Sequence, residues 1–119
     1  MKYTKEHEWL RVDGDLVTVG ITEHAATQLG DVVFVELPEP ETVVAEGDEV
    51  VVIESVKAAS DILAPVDGEI VAVNDKLPDN PGLVNEDPLG AGWFFRMKLD
   101  DLSVLDDFMD EDEYNELIG

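Results

Sequence analysis

The sequence contains no cysteine, and this single absence excludes a disulfide framework, a Cys-ligated zinc or iron–sulfur centre and a thiol nucleophile. Two histidines in 119 residues leave too few imidazoles for a His-rich metal centre. Basic residues are scarce too: seven Lys and Arg stand against 29 Asp and Glu, a formal charge of −22. A field of that sign repels nucleic-acid phosphates and anionic membrane surfaces, so neither is expected as a partner. No apolar run approaches the roughly 18 residues of a spanning helix, and the start, Met1-Lys2-Tyr3-Thr4-Lys5-Glu6-His7-Glu8, lacks the apolar core of a secretory leader. With no nucleophile–base pair, metal cluster or phosphate loop in view, an independent enzyme is the least favoured class.

The chain nevertheless has the composition of a folded protein. Hydrophobic residues make up 45% of it and 17 are valine, far more than a solvating polyanion carries. One domain, residues 1–119, is expected, with a β core over 1–99 and a helical tail over 100–119. The acids are spread along the whole chain instead of massed in one run. This suits an acidic skin in a high-salt cytosol, where screening weakens self-repulsion.

Short β-branched runs broken by Gly, Pro and Asp dominate the pattern, as strands broken by turns do. Trp9–Val12 and Leu16–Ile21 flank Asp13-Gly14-Asp15, a hairpin signal. Thr22 offers an N-cap, Ala25, Ala26 and Leu29 share a helical face, and Gly30 fits the helix end, so a two-turn helix is predicted there. Val32–Leu37 and Val43-Val44 read as further extended pieces. Glu49–Ser55 and Glu69–Asp75 superpose at an offset of 20 residues, a weak repeat that suggests two similar halves about a central hairpin. Leu77–Gly92, rich in Pro and Gly, reads as a loop with little regular structure, and Trp93–Leu99 as the last strand. In the tail, Leu102, Leu105, Phe108 and Met109 fall on one helical face, and Asp110 with Glu113 has capping-box spacing. The tail is expected to cover a face or end of a β-sandwich. Trp9, Trp93, Phe34, Phe94 and Phe95 are expected in the core.

Among five lysines, Lys57 stands apart. Val56, Ala58 and Ala59 flank it at the tip of a segment joining two apolar strands. On residues alone, two readings stay open: a charge that deters edge pairing, or a side chain lifted clear of the domain for a modifying enzyme.

The octet Glu54-Ser55-Val56-Lys57-Ala58-Ala59-Ser60-Asp61, followed by Ala64-Pro65-Val66-Asp67-Gly68, resembles the lipoylation site of the glycine cleavage system H-protein family. His7-Glu8-Trp9, Gly20-Ile21-Thr22-Glu23-His24-Ala25, the stretch Leu29 to Pro38, Pro81-Gly82-Leu83-Val84-Asn85 and Gly92-Trp93 resemble further blocks of the family in the same order. Biotin carriers place methionines beside the lysine, where Val56 and Ala58 stand here. Lipoyl domains of 2-oxo acid dehydrogenases lack the terminal blocks.

The resemblance implies a mainly β fold, a flattened β-sandwich or hybrid barrel of the lipoyl-carrier type, with a short internal helix and C-terminal helices. It implies lipoic acid in amide linkage on Lys57, with Glu54, Ser55, Val56 and Ala58 recognised by the lipoate-attaching enzyme. Glu8, His24 and Asp61 match family positions that park the loaded arm. The implied partners are a pyridoxal-phosphate glycine decarboxylase, a folate-dependent aminomethyltransferase and a flavin dihydrolipoyl dehydrogenase. A monomeric, cytoplasmic, non-catalytic carrier is therefore expected. A relay protein handing lipoyl groups to other acceptors and an unmodified acidic interaction domain are its rivals.

Overall fold

The structure is a computed structural model covering residues 1–119. Its strands are β1 (Lys2–Tyr3), β2 (Glu8–Asp13), β3 (Leu16–Ile21), β4 (Val32–Glu36), β5 (Thr42–Val44), β6 (Glu49–Ser55), β7 (Ala59–Leu63), β8 (Gly68–Val73) and β9 (Phe95–Lys98). They form a six-stranded antiparallel sheet in the order β1-β2-β3-β9-β8-β5 and a three-stranded antiparallel sheet in the order β4-β6-β7. Helices α1 (Glu23–Leu29), α2 (Leu83–Glu86) and α3 (Glu111–Ile118) and a 3-10 helix at Leu102–Asp107 complete the fold. With extents of 37 × 36 × 22 Å the molecule is flattened, as expected of two stacked sheets.

Alternation builds the core. Val17 and Val19 on β3, Ile70 on β8 and Phe95 and Met97 on β9 meet Val35, Val51, Ile53 and Ile62 of the smaller sheet in one buried cluster. Buried residues on the first half of β2 break strict alternation: Leu10 joins this cluster, whereas Trp9 packs with Tyr3 and Tyr114 in a second one under α3. The outer face of the large sheet at β1–β2 is therefore covered by the C-terminal helix.

Local signals in the sequence act as read. The β2–β3 hairpin turns at Gly14, with φ at 62°. Thr22 caps α1, its Oγ1 accepting from the Ala25 amide at 3.3 Å, and Gly30 ends it. Asp110 and Glu113 form the capping box of α3 in both directions.

Three expectations need correction. The tail is not one helix face: after the 3-10 helix the chain extends, and Met109 forms a β-bridge with Tyr3 before α3 begins. Leu77–Gly92 is more ordered than a loose loop, since it contains α2 and buries Leu77 and Val84 completely. A four-residue helix is too short to show a period. Trp9, Phe94 and Phe95 are fully buried, but Phe34 is 43% exposed and Trp93 only half-buried under the Arg96 guanidinium, 4.4 Å from its ring.

Candidate functional site

Strands β6 and β7 form a hairpin in which Glu54 lies opposite Ala59 and Ile53 opposite Ser60. Ser55, Val56, Lys57 and Ala58 make its turn. The Ser55 amide donates to the Ala58 carbonyl at 2.8 Å, and the Ser55 hydroxyl oxygen accepts from the Lys57 and Ala58 amides at 3.2 and 3.1 Å. One serine thus satisfies the backbone of a tight turn that has no glycine. The Val56 amide donates to the Asp31 carbonyl at 3.0 Å, which ties the turn to the entry of β4.

Val56, Lys57, Ala58 and Glu54 are all exposed. The Lys57 stem runs past Gly30, where a Cβ would come within 3.1 Å of Lys57 Cε; Gly30 also has φ at 75°. The absence of a side chain there leaves the lysine a groove. Asn85 fastens this platform from beneath: its Oδ1 accepts from the Val32 amide and its Nδ2 donates to the Gly30 carbonyl, both at 2.8 Å.

A cleft of about 360 Å³ lies between the outer strand β7 and helix α1, with Leu29 at the Lys57 side and Asp61, Gln28, His7 and Glu8 among its walls. Asp61 is exposed on β7, whereas Glu8 is only 4% exposed. Thr4 Oγ1 donates to Glu8 Oε1 at 3.2 Å and accepts from the Glu8 amide at 3.1 Å. Oε2 makes no hydrogen bond to the protein. Burial is the main reason that the Glu8 carboxyl is pushed up to about 7; Thr4 opposes that shift and the Glu6 charge adds to it. Glu8 also lines a second concavity of about 350 Å³, walled by Tyr3, Phe108 and Met109.

The structure brings Glu8 and Asp61 into one cleft but leaves His24 out of it. His24 lines a different cleft, between α1 and α3, together with Tyr114 and Glu111. The ring facing the Glu8 side is His7, whose centroid lies 4.7 Å from that of His24. His7 adopts φ of 68° and its Nδ1 lies 2.8 Å from the Tyr114 hydroxyl, which is 2.7 Å from Thr22 Oγ1. Burial, and then the His24 charge, lower the His7 pKa and favour a neutral imidazole.

Sequence reasoning did not single out His7, Gln28, Thr4 or Asn85 as working residues. His7 stands in the His7-Glu8-Trp9 block, and Gln28 lies one turn beyond His24 on the same helix, so helical periodicity was the available signal for it.

No cluster of three or more His, Cys, Asp or Glu side chains is arranged to hold a metal ion. The largest concavity, about 940 Å³, is lined by Glu46, Asp67, Asp100 and Val104 and sits at the opposite end of the β6–β7 hairpin from Lys57. The 360 Å³ cleft is instead lined by Ser60, on the same hairpin as Lys57, and by Leu29, the neighbour of the Gly30 that the lysine stem passes.

The family model for the glycine cleavage H-protein matches residues 1–119. The chain is 52% identical to the glycine cleavage system H protein of Parvibaculum lavamentivorans, over 99% of this chain and 94% of that protein. It is 55% identical to the H protein of Psychrobacter cryohalolentis, over 98% and 94%. The crystal structure of a glycine cleavage system H protein from Mycobacterium marinum superposes with a TM-score of 0.89 at 38% identity, covering 99% of this chain and 95% of that one. The fold, the exposed hairpin lysine and the full-length similarity converge: this chain belongs to the glycine cleavage H-protein family, the lipoyl carriers of the glycine cleavage system.

Proposed function

We propose that this chain bears lipoic acid in amide linkage on Lys57 and acts as a non-catalytic shuttle among the decarboxylase, aminomethyltransferase and dihydrolipoyl dehydrogenase of the system. The observation that carries this reading is the exposed Lys57 turn beside a cleft that ends at a buried carboxylate. The residues fit the group. The turn leaves the lysine amine accessible to acylation, and the Gly30 groove accepts the alkyl stem. From Ala59 to Asp61 along β7 is about 7 Å, well within the roughly 15 Å reach of a lipoyl-lysine from its Cα.

When bound, the lipoyl group would supply a disulfide able to accept the one-carbon amine reductively on one sulfur, and it would stay attached to Lys57 as a dithiol once that cargo is passed on. The chain's own residues hold the cargo between enzymes. Glu8, with one carboxylate oxygen free of protein partners, pairs with the cargo's ammonium and gives up its proton in doing so. Asp61 adds a second negative charge at the cleft rim, and Leu29 and Ile62 keep water from the arm. His24 acts on this arrangement through His7, whose ring it faces, and not on the arm itself. Glu54, Ser55, Val56 and Ala58 present the lysine to the attaching enzyme. No helix is long and apolar enough to cross a membrane; the acid-rich surface supports residence in a concentrated-salt cytosol.

Peptide mapping of the protein from cells cleaving glycine tests the reading. A lipoyl group on Lys57 alone is expected, and its loss in Lys57→Arg should abolish glycine cleavage. Only unmodified Lys57 in such cells would leave the unmodified interaction domain as the better account.

A further inference from the structure

Three large apolar side chains stand in solvent around Lys57: Val56 on the turn, 66% exposed, and Val33 and Phe34 on β4, 56% and 43% exposed. Strand β4 pairs with β6 so that Val32 lies opposite Ser55 and Phe34 opposite Glu54, which leaves Val33 as the extra residue of a bulge. A bulge breaks the in-out alternation of a strand and re-aims its side chains. Here it lets two successive apolar residues face outward. β4 is also the outer strand of its sheet, where exposed apolar residues carry a risk of self-association that proteins ordinarily suppress. Asn85 already occupies the free Val32 amide on this strand, so the edge is closed to strand addition at that point. What remains open is a side-chain surface. The Val56 amide to Asp31 carbonyl bond fixes the turn against it, and the exposed carboxylates of Asp31, Glu36 and Glu54 rim it.

The length of the side chain selects the occupant. Enzymes that act on the finished arm work about 15 Å from the Lys57 Cα. The enzyme that attaches the arm must act on the bare amine, only about 6 Å from that Cα, so its mouth has to close over the turn and over whatever lies beside it. We infer that Val33 and Phe34, together with Val56, form the docking surface for the lipoate-attaching enzyme, whose active-site mouth is apolar with a basic rim. The inference rests on the reading of Lys57 as the attachment site. In the reaction the neutral Nζ forms a C–N bond to the carbonyl carbon of an acyl-adenylate of lipoate. The bond to the nucleotide phosphate breaks with its electron pair, and the amine's surplus proton is lost to solvent. Val33 and Phe34 take no part in that bond change; they hold the amine in place.

The test uses the full-length unmodified chain with a purified lipoate-attaching enzyme, lipoate and ATP, the product being read by intact mass. Val33→Thr/Phe34→Ser should lower kcat/KM for acylation at least tenfold, as loss of a central apolar anchor does at interfaces. Val43→Ser, which removes an apolar residue 80% exposed at the far edge of the other sheet, should leave it unchanged. Lys57→Arg should inhibit acylation of the wild type by competition, and should stop doing so once Val33→Thr/Phe34→Ser is added. Thermal melts monitor the fold, and Val33→Thr alone, which keeps the β-branched shape, should give an intermediate loss. Acylation of the double variant at the wild-type rate overturns the inference while leaving Lys57 as the attachment site. Failure of the wild type to be acylated removes both.

Discussion

Replacing Glu8 by glutamine should have opposite effects on the empty and the loaded protein, and the empty one gives the cleaner number. Burial raises the Glu8 carboxyl from its ordinary 4.5 to about 7. Below pH 4.5 the group is protonated in both folded and unfolded chains and costs nothing. As pH rises from 4.5 to about 7 the folded chain must keep a proton that the unfolded chain has already released, or carry a buried charge, so stability is lost across that window and is level above it. A rise from 4.5 to about 7 corresponds to about 3 kcal/mol.

The side chain introduced by Glu8→Gln does not ionise, and its amide oxygen can accept from Thr4 Oγ1 as Glu8 Oε1 does. The difference in stability between variant and wild type should therefore be near zero at pH 4 and grow to about 3 kcal/mol in favour of the variant at pH 8. For a chain of this length that is roughly 10 °C in melting temperature. Melts of both proteins, unmodified and at one fixed high salt concentration, would measure it. The subtraction cancels the titration of the other carboxylates. A difference that does not vary with pH, or a variant less stable at pH 8, would refute the account of Glu8 as a buried ionising group. In the pre-loaded protein the same change removes the ammonium's partner. Ammonia and formaldehyde release should then quicken by roughly five- to a hundredfold, as loss of about 1–3 kcal/mol would give.

Two further outcomes follow from the same structure. None of the side-chain hydrogen bonds of Arg11 or Arg96 reaches a carboxylate, so the charge of −22 is relieved mainly by screening, and the melting midpoint should climb as KCl rises to molar levels; a midpoint indifferent to salt would reject this. Asn85→Ala should cost about 1–3 kcal/mol by stranding the Val32 amide and Gly30 carbonyl, and should raise hydrogen exchange at the α1–β4 junction more than in the β2–β3 hairpin; uniform exchange would show that Asn85 does not specifically support the lysine platform.

Local chemistry was legible in the sequence wherever one or two residues suffice to decide it. Gly14 sets a hairpin, Thr22 and Gly30 bracket a helix, Asp110 and Glu113 close a capping box, and Lys57 between two apolar strands marks an exposed tip. Each depends on backbone torsion or on a hydrogen bond spanning three or four positions, so the information is contiguous. The residue blocks carrying the family resemblance are local in the same sense, and full-length similarity bears them out.

What only the tertiary structure decided is which distant residues share a cavity. Periodicity places Phe34 on a strand but cannot see the bulge at Val33 that turns it outward, because a bulge is a mismatch of register with β6. It places His24 on a helix but not toward which cleft the ring faces, and so it did not foresee that His7 and Gln28 stand where His24 was expected. Burial of Glu8 follows from the meeting of β2, β7 and the chain before the C-terminal helix, segments far apart in sequence, and its raised pKa follows from that burial. A carboxylate's charge state is set by the dielectric and charges around it, and these exist only once the two sheets have closed.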